Sequence, residues 1–151
     1  MHVTARTDYA LRALLTLAAT STGSATGQVL AEQQHLPQKF LEAILGDLRR
    51  AGLIRTRRGP DGGYTLTRPA AEVTVGEVVR AVDGPLAVVR GERPEHAVYE
   101  GAAEHLQTLW VALRAAVRAV LDEVTLAQLL AGDMPPHVRE LVAPPDAWTS
   151  R

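Results

Sequence analysis

The stretch "LIRTRRGPDGGYTLTRP", Leu53 to Pro69, decides the fold of this chain. Two short segments of alternating character, "LIRTRR" and "YTLTR", flank the tip "GPDGG", which predicts a β-hairpin. Glycine and proline at this density call for backbone with positive φ. Arg57 and Arg58 at the edge of the tip imply that something negative comes close. By itself, a surface hairpin with solvated arginines fits the same letters.

The residues upstream narrow the choice. Residues 5–20 read as a helix, with Leu11, Leu14, Leu15 and Ala18 at three- and four-residue spacing and Ala10, Ala13 and Leu17 widening the apolar face. A loop, "TSTGSATG", and a short helix, "QVLAEQQH", follow. In "LPQKFLEAILGDLRRAGL", Pro37 suits a first helical position, and Phe40, Leu41, Ile44, Leu45 and Leu48 form the expected buried stripe. Gly52 is placed to end that helix. Three helices, a short connection between the second and third, and a basic hairpin make a winged helix-turn-helix pattern. In that setting the glycines let the tip enter a narrow groove, while Arg57 and Arg58 can follow phosphates or an electronegative minor groove.

Downstream, Thr74 and Glu77 form a T-x-x-E capping box ahead of a helix whose apolar side is Val75, Val78, Val79 and Val82. Residues 84–98 show no clean period and read as a loop. Residues 99–124 predict one long helix, on which Leu106, Leu109, Leu113, Val117, Val120 and Val124 step by three or four. Together with Trp110 and Leu121, this seam is wider than a lone surface helix needs. It can pack on its own domain or form a two-fold dimer seam, and a reader of palindromic DNA needs the second. Thr125 caps a last short helix, and the proline-rich tail from Asp133 is expected to be loose or draped. The expected fold is mainly α with a small β-hairpin wing. Its parts are a winged helix-turn-helix domain over 1–84, an effector or linker loop over 85–98, dimerisation helices over 99–131 and a tail over 132–151.

Composition sets the outer limits. Of 151 residues, 46% are apolar and only 4% aromatic, so aliphatic side chains and alanine must fill the core. No apolar run reaches the roughly eighteen residues of a membrane span. Arg6, Asp8 and Arg12 interrupt the N-terminal apolar pattern, which therefore reads as an amphipathic helix rather than a signal peptide. The absence of cysteine rules out disulfides, thiolate metal sites and a cysteine nucleophile, and fits a cytoplasmic protein. Residues 1–69 carry nine Lys/Arg against five Asp/Glu, whereas residues 70–151 carry seven against twelve. A basic front and an acidic back suggest that the front approaches a polyanion.

The N-terminal "VTARTDYALRALLTLA", the segment "LPQKFLEAILGDLRRAGLIRTRRGPDGGYTLTRPAAEVTVGEVVRAVDG" and the later "LW…VTLAQLL" resemble the Rrf-type bacterial regulators over about residues 1–130. The resemblance implies a homodimeric winged-helix repressor with a long dimerisation helix. Carried over by position, Gln38, Lys39 and Glu42 fall where the recognition helix faces the major groove. Arg49, Arg50 and Arg57 fall where phosphate contacts are expected, and Arg58, Gly62 and Gly63 fall on the wing. The residue types suit these roles, since Gln can read adenine, Glu can accept from cytosine N4, and Lys can reach guanine or phosphate. Glu42 pairing only with Lys39 or an arginine, and Arg49 or Arg50 as solvated helix-end cations, are the plainer alternatives.

Cluster-binding members of the family carry cysteines ahead of the long helix, where this chain has "AVVRGERPEHAVYEGAAEHLQTLW". A thiolate-held iron–sulfur cluster is therefore not expected. Glu104 and Gln107 align with last-ligand positions of some relatives, and Asp8 with an N-terminal carboxylate ligand. Glu92, His96, Glu100, Glu104 and His105 are candidates for zinc or ferrous iron, set against the plain reading of a solvated acidic loop. A small-molecule effector or a protein partner suits a cysteine-free member better.

The functional expectation is a sequence-specific DNA-binding regulator that binds a palindrome as a homodimer. The alternative is a winged-helix protein–protein interaction module that uses the acidic C-terminal arm. No enzyme is expected, because the chain has no nucleotide-binding loop, no thiol, no HExxH and no convincing Ser-His-Asp set.

Overall fold

In the computed structural model, which describes residues 2–150, Thr4 opens the first helix by accepting the Thr7 backbone N–H at 3.1 Å. That helix, α1, spans Ala5–Ala19 and buries Thr7, Ala10, Ala13, Leu14 and Leu17. Leu11, Leu15 and Ala18, expected at the centre of its apolar face, are only half-buried at the margin. The small Ala10 and Ala13 admit close neighbours, so the inward arc is rotated towards them.

Helix α2, Gly27–Gln34, is capped by Thr26, which accepts the Val29 N–H at 3.2 Å. His35 then takes a left-handed conformation at φ 52°, which turns the chain into α3, Gln38–Arg50. Pro37 is the cap of α3 rather than its first helical residue, and its carbonyl accepts the Leu41 N–H at 3.0 Å. Leu41, Ile44, Leu45 and Leu48 are fully buried, each stabilising the fold by about 1.5–3 kcal/mol on area grounds. Phe40, expected in that stripe, is 39% exposed. It lies about 100° round the helix from Leu41, at the rim, and meets the Tyr9 ring edge-on with centroids 5.7 Å apart.

Gly52, at φ +76°, ends α3 and leads into the hairpin. Strands β1, Ile54–Arg57, and β2, Gly63–Leu66, pair antiparallel with Ile54 opposite Leu66 and Arg57 opposite Gly63. The hairpin is not free-standing. Tyr64 exchanges both backbone hydrogen bonds with Ala25, at 2.7 and 3.1 Å, tying the wing to the segment that leads into α2.

A 3-10 turn over Ala70–Glu72 precedes helix α4, Val75–Asp83, where both halves of the Thr74–Glu77 capping box form. Val75, Val78 and Val82 are buried and Val79 is half-buried. The next segment contains 3-10 turns at Pro94–His96 and Gly101–Ala103. Helix α5 runs over Leu106–Leu121, shorter at both ends than the 99–124 expected. Gly101 sits at φ +59°, outside helical space, which delays the start.

Beyond α5 the chain returns to the first domain. The Val75 N–H donates to the Val124 carbonyl at 2.9 Å, and the Leu126 N–H to the Val73 carbonyl at 3.0 Å. Helix α6, Leu126–Ala131, carries its own capping box from Thr125 and Gln128, and Leu126 is fully buried in the core. The stretch 99–131 is therefore divided, with α5 leaving the winged-helix core and α6 packing into it.

The tail also departs from expectation. Pro136–Val142 forms helix α7, followed by a 3-10 turn over Pro145–Trp148. Pro135 and Pro136 pre-set the backbone for that helical start. His137 Nε2 meets the Ala119 carbonyl at 2.7 Å, which seats α7 on the end of α5.

Candidate nucleic-acid interface

Helix α3 turns one face to the core and the other to solvent. Gln38, Lys39, Glu42, Arg49 and Arg50 are all on the exposed side. Gln38 Nε2 donates to Glu42 Oε1 at 3.2 Å across one helical turn, so two groups able to read base edges hold each other at the surface. Lys39 and Arg49 have no acidic partner among the described residues, whereas Arg50 is ion-paired with Asp47. Asp47 also receives Arg6 from α1, and Arg6 lies 4.0 Å from Asp83 at the end of α4. Thr7 Oγ1 donates to Asp83 at 2.6 Å. The orientation of α3 is thus secured by charges from two other helices.

The wing adds cations beside this face. Arg57 and Arg58 are exposed without an acidic partner among the described residues, Arg57 closing β1 and Arg58 opening the tip. Arg55 is a third such cation, overlooked in the reading of the tip. Strand alternation would have found it, since Arg55 and Arg57 stand two apart on one face.

Gly62 and Gly63 have a structural account of their own. A Cβ on Gly63 would stand 2.5 Å from the Ala25 carbonyl oxygen, and one on Gly62 would stand 2.7 Å from the Gly59 oxygen. Only glycine lets the hairpin turn this tightly and dock on the α2 approach.

The long helix shows a different kind of surface. None of the sixteen residues of α5 is fully buried in the protomer. Leu109 and Leu113 are 54% and 40% exposed, while Leu106, Trp110, Val117, Val120 and Leu121 are half-buried. Trp110 Nε1 donates to the Tyr99 hydroxyl at 3.0 Å, so that ring is directed towards its own protomer. Val124, grouped with this seam by spacing, lies off the helix and is buried beside α4.

The candidate metal ligands do not converge. Asp8 pairs with Arg12 at 3.4 Å, Glu104 with His105 at 3.3 Å, and Glu92, His96 and Glu100 are exposed. Among the described residues no three of His, Asp and Glu come together as a ligand set.

Residues 3–132 match the Rrf2 family profile, whose description is an iron-dependent transcriptional regulator. A Mycobacterium tuberculosis protein named as an HTH-type transcriptional regulator is 42% identical, over 93% of this chain and 88% of its own length. IscR of Serratia proteamaculans is 34% identical over 86% of this chain and 79% of its own. The structure of CymR, the global cysteine regulator of Bacillus subtilis, superposes with a TM-score of 0.73 at 30% identity, covering 87% of this chain and 98% of that one. An iron–sulfur cluster does not fit the residues present here, since the sequence has no cysteine and, among the described residues, the oxygen and nitrogen donors form no ligand set.

Proposed function

From membership of the Rrf2 family of transcriptional regulators, to which this chain belongs, we propose that it represses transcription in the cytoplasm by binding a palindromic operator as a homodimer, without an iron–sulfur cluster. The family consists of DNA-binding regulators and not of enzymes. One observation carries the finer reading. The exposed face of α3 presents Gln38, Lys39 and Glu42 beside a wing whose Arg55, Arg57 and Arg58 have no acidic partner among the described residues. Cations left uncompensated next to base-reading side chains suit phosphates flanking a major groove. The exposed leucines of α5 supply the two-fold partner surface, which would place two recognition helices about 34–36 Å apart on one face of a duplex. A regulator lacking the cluster must take its signal from a small molecule or a protein that favours one of two arrangements.

Fluorescence anisotropy with an operator selected from random duplexes tests this reading. Binding should fall steeply with salt, and Arg58→Ala should weaken it and make the log–log salt slope shallower by about one unit if the side chain holds phosphate. Wild-type affinity in that variant would remove Arg58 from the interface. Protein purified anaerobically should be colourless and should bind the operator without added iron. A visible charge-transfer band accompanied by stoichiometric sulfide would overturn the cluster-free reading.

A further inference from the structure

The segment joining α4 to α5 encloses, together with both helices, a cleft of about 300 Å³. Four of its lining side chains are arginines: Arg80 from the last turn of α4, Arg93 from the joining segment, and Arg114 and Arg118 from α5. Arg114 and Arg118 stand four residues apart and so share one helix face. Two carboxylates oppose these four guanidiniums. Arg80 pairs with Asp122 at 2.6 Å, and Arg114 pairs with Glu95. The Glu95 carboxyl is held below the usual carboxylate range by its own backbone N–H and, against an upward push from burial, by Arg114, so it stays ionised at neutral pH. Arg93 and Arg118 are left without an acidic partner among the described residues.

Arg93 and Arg118 line the cleft while remaining exposed to solvent, so an anion can reach them. The Arg114 side chain is only 12% exposed, and of its five N–H donors Nη1 bonds the Glu95 carboxylate. The lining also includes backbone at positive φ, Gly84 at 85° and Ala87 in the left-handed region at 53°. A left-handed alanine costs about 1–2 kcal/mol, a strain that persists only where the surroundings impose the shape. Concave form, desolvated guanidinium and uncompensated cations together describe a receptor for an oxyanion.

We propose that this cleft binds a small, multiply charged metabolite anion, a di- or tricarboxylate or a phosphate compound, as the effector of the regulator. The proposal rests on the regulator reading for its purpose, but its binding chemistry stands apart from DNA. Arg93 and Arg118 supply the free guanidiniums, and Arg114 shares its remaining donors with the ligand. Gly84 of the cleft directly follows Asp83, which Thr7 and Arg6 connect to α1, and Arg6 also holds Asp47 on α3. Occupancy therefore bears on the helix that carries Gln38, Lys39 and Glu42.

Isothermal titration of the full-length protein, without DNA and at constant ionic strength, tests the site with two probes, citrate and inorganic pyrophosphate. At least one should bind saturably to the wild type, and which one it is separates the carboxylate source from the phosphate source. Arg93→Gln/Arg118→Gln should weaken that binding by about tenfold or more, while Arg139→Gln, outside both the cleft and the wing, should leave it unchanged. Arg118→Gln alone should give a smaller loss, which keeps the comparison available should the double variant misfold. Operator titrations with the bound probe present should then show a shift in affinity. Failure of both probes to bind, or equal binding to the wild type and Arg118→Gln, would overturn the site. Loss of operator affinity with a shallower salt slope in Arg118→Gln, without any probe binding, would instead assign the cleft to the DNA backbone. Anion binding in a protein that selects no operator would preserve the site and remove the DNA reading.

Discussion

Gly63 shows how much one residue can carry. Its φ of +131° and the 2.5 Å approach of any added Cβ to the Ala25 oxygen leave no room for a side chain. Gly63→Ala should destabilise the protein by about 1–3 kcal/mol in urea denaturation and loosen the Ala25–Tyr64 pairing. Faster amide exchange at Ala25 and Tyr64 would report the loosening, and operator affinity should drop with it. An unchanged exchange rate would mean that the wing docks without those two bonds. The glycine-rich tip was legible in sequence as a tight turn. That Gly63 also faces the approach to α2 was not, because Ala25 is 38 positions earlier in the chain.

At the scale of the element, α4 illustrates a helix start written in its own letters. Thr74 accepts the Glu77 N–H at 3.2 Å, and Glu77 accepts the Thr74 N–H at 2.9 Å and Arg68 at 2.7 Å. Partial burial pushes the Glu77 carboxyl up, but the Thr74 backbone donor and the Arg68 charge together outweigh it and hold the group below its ordinary value. A carboxyl depressed in the folded state contributes stability above its unfolded pKa and loses it as the pH falls through the folded one. Glu77→Gln should therefore cost about 1 kcal/mol at pH 7, a value kept small by the exposure of the Arg68 pair. The penalty should vanish as acid titrates the wild type, so melting curves of the two proteins should converge below the ordinary carboxylate range. Parallel curves at all pH values would mean that Glu77 acts through its shape alone.

For the molecule as a whole, the decisive surface is the one left uncovered. Leu109 and Leu113 stand exposed on a helix with no fully buried residue, an arrangement that suits a second copy better than water. In the homodimer proposed above, Leu113→Asp should weaken self-association by about 3 kcal/mol, because a second copy seated there would bury an unpaired carboxylate. The protomer itself should keep its fold, since Leu113 is 40% exposed within it. Sedimentation should show monomers with native circular dichroism. A persistent dimer would place the two-fold contact elsewhere, with the exposed Leu141, Val142 and Trp148 of the tail as the next surface to probe.

The sequence by itself determined the local features: the caps at Thr74 and Thr125, the end of α3 at Gly52, the hairpin, and the amphipathic period of α3. Each is settled by interactions within a few residues, so the letters suffice. Which of α1's apolar residues lie deepest, why Phe40 stays at the rim, and where α5 stops depend on partners far along the chain. So does the return of Val124 and Leu126 to the core, which rests on backbone pairing with Val73 and Val75 some 50 residues earlier. The arginine cleft belongs to the same class. Arg80, Arg93, Arg114 and Arg118 are scattered in sequence with acids between them, and only the packing of α5 against the segment leaving α4 gathers their charge into one concave site. Charge and burial act through space, and distance along the chain does not encode them.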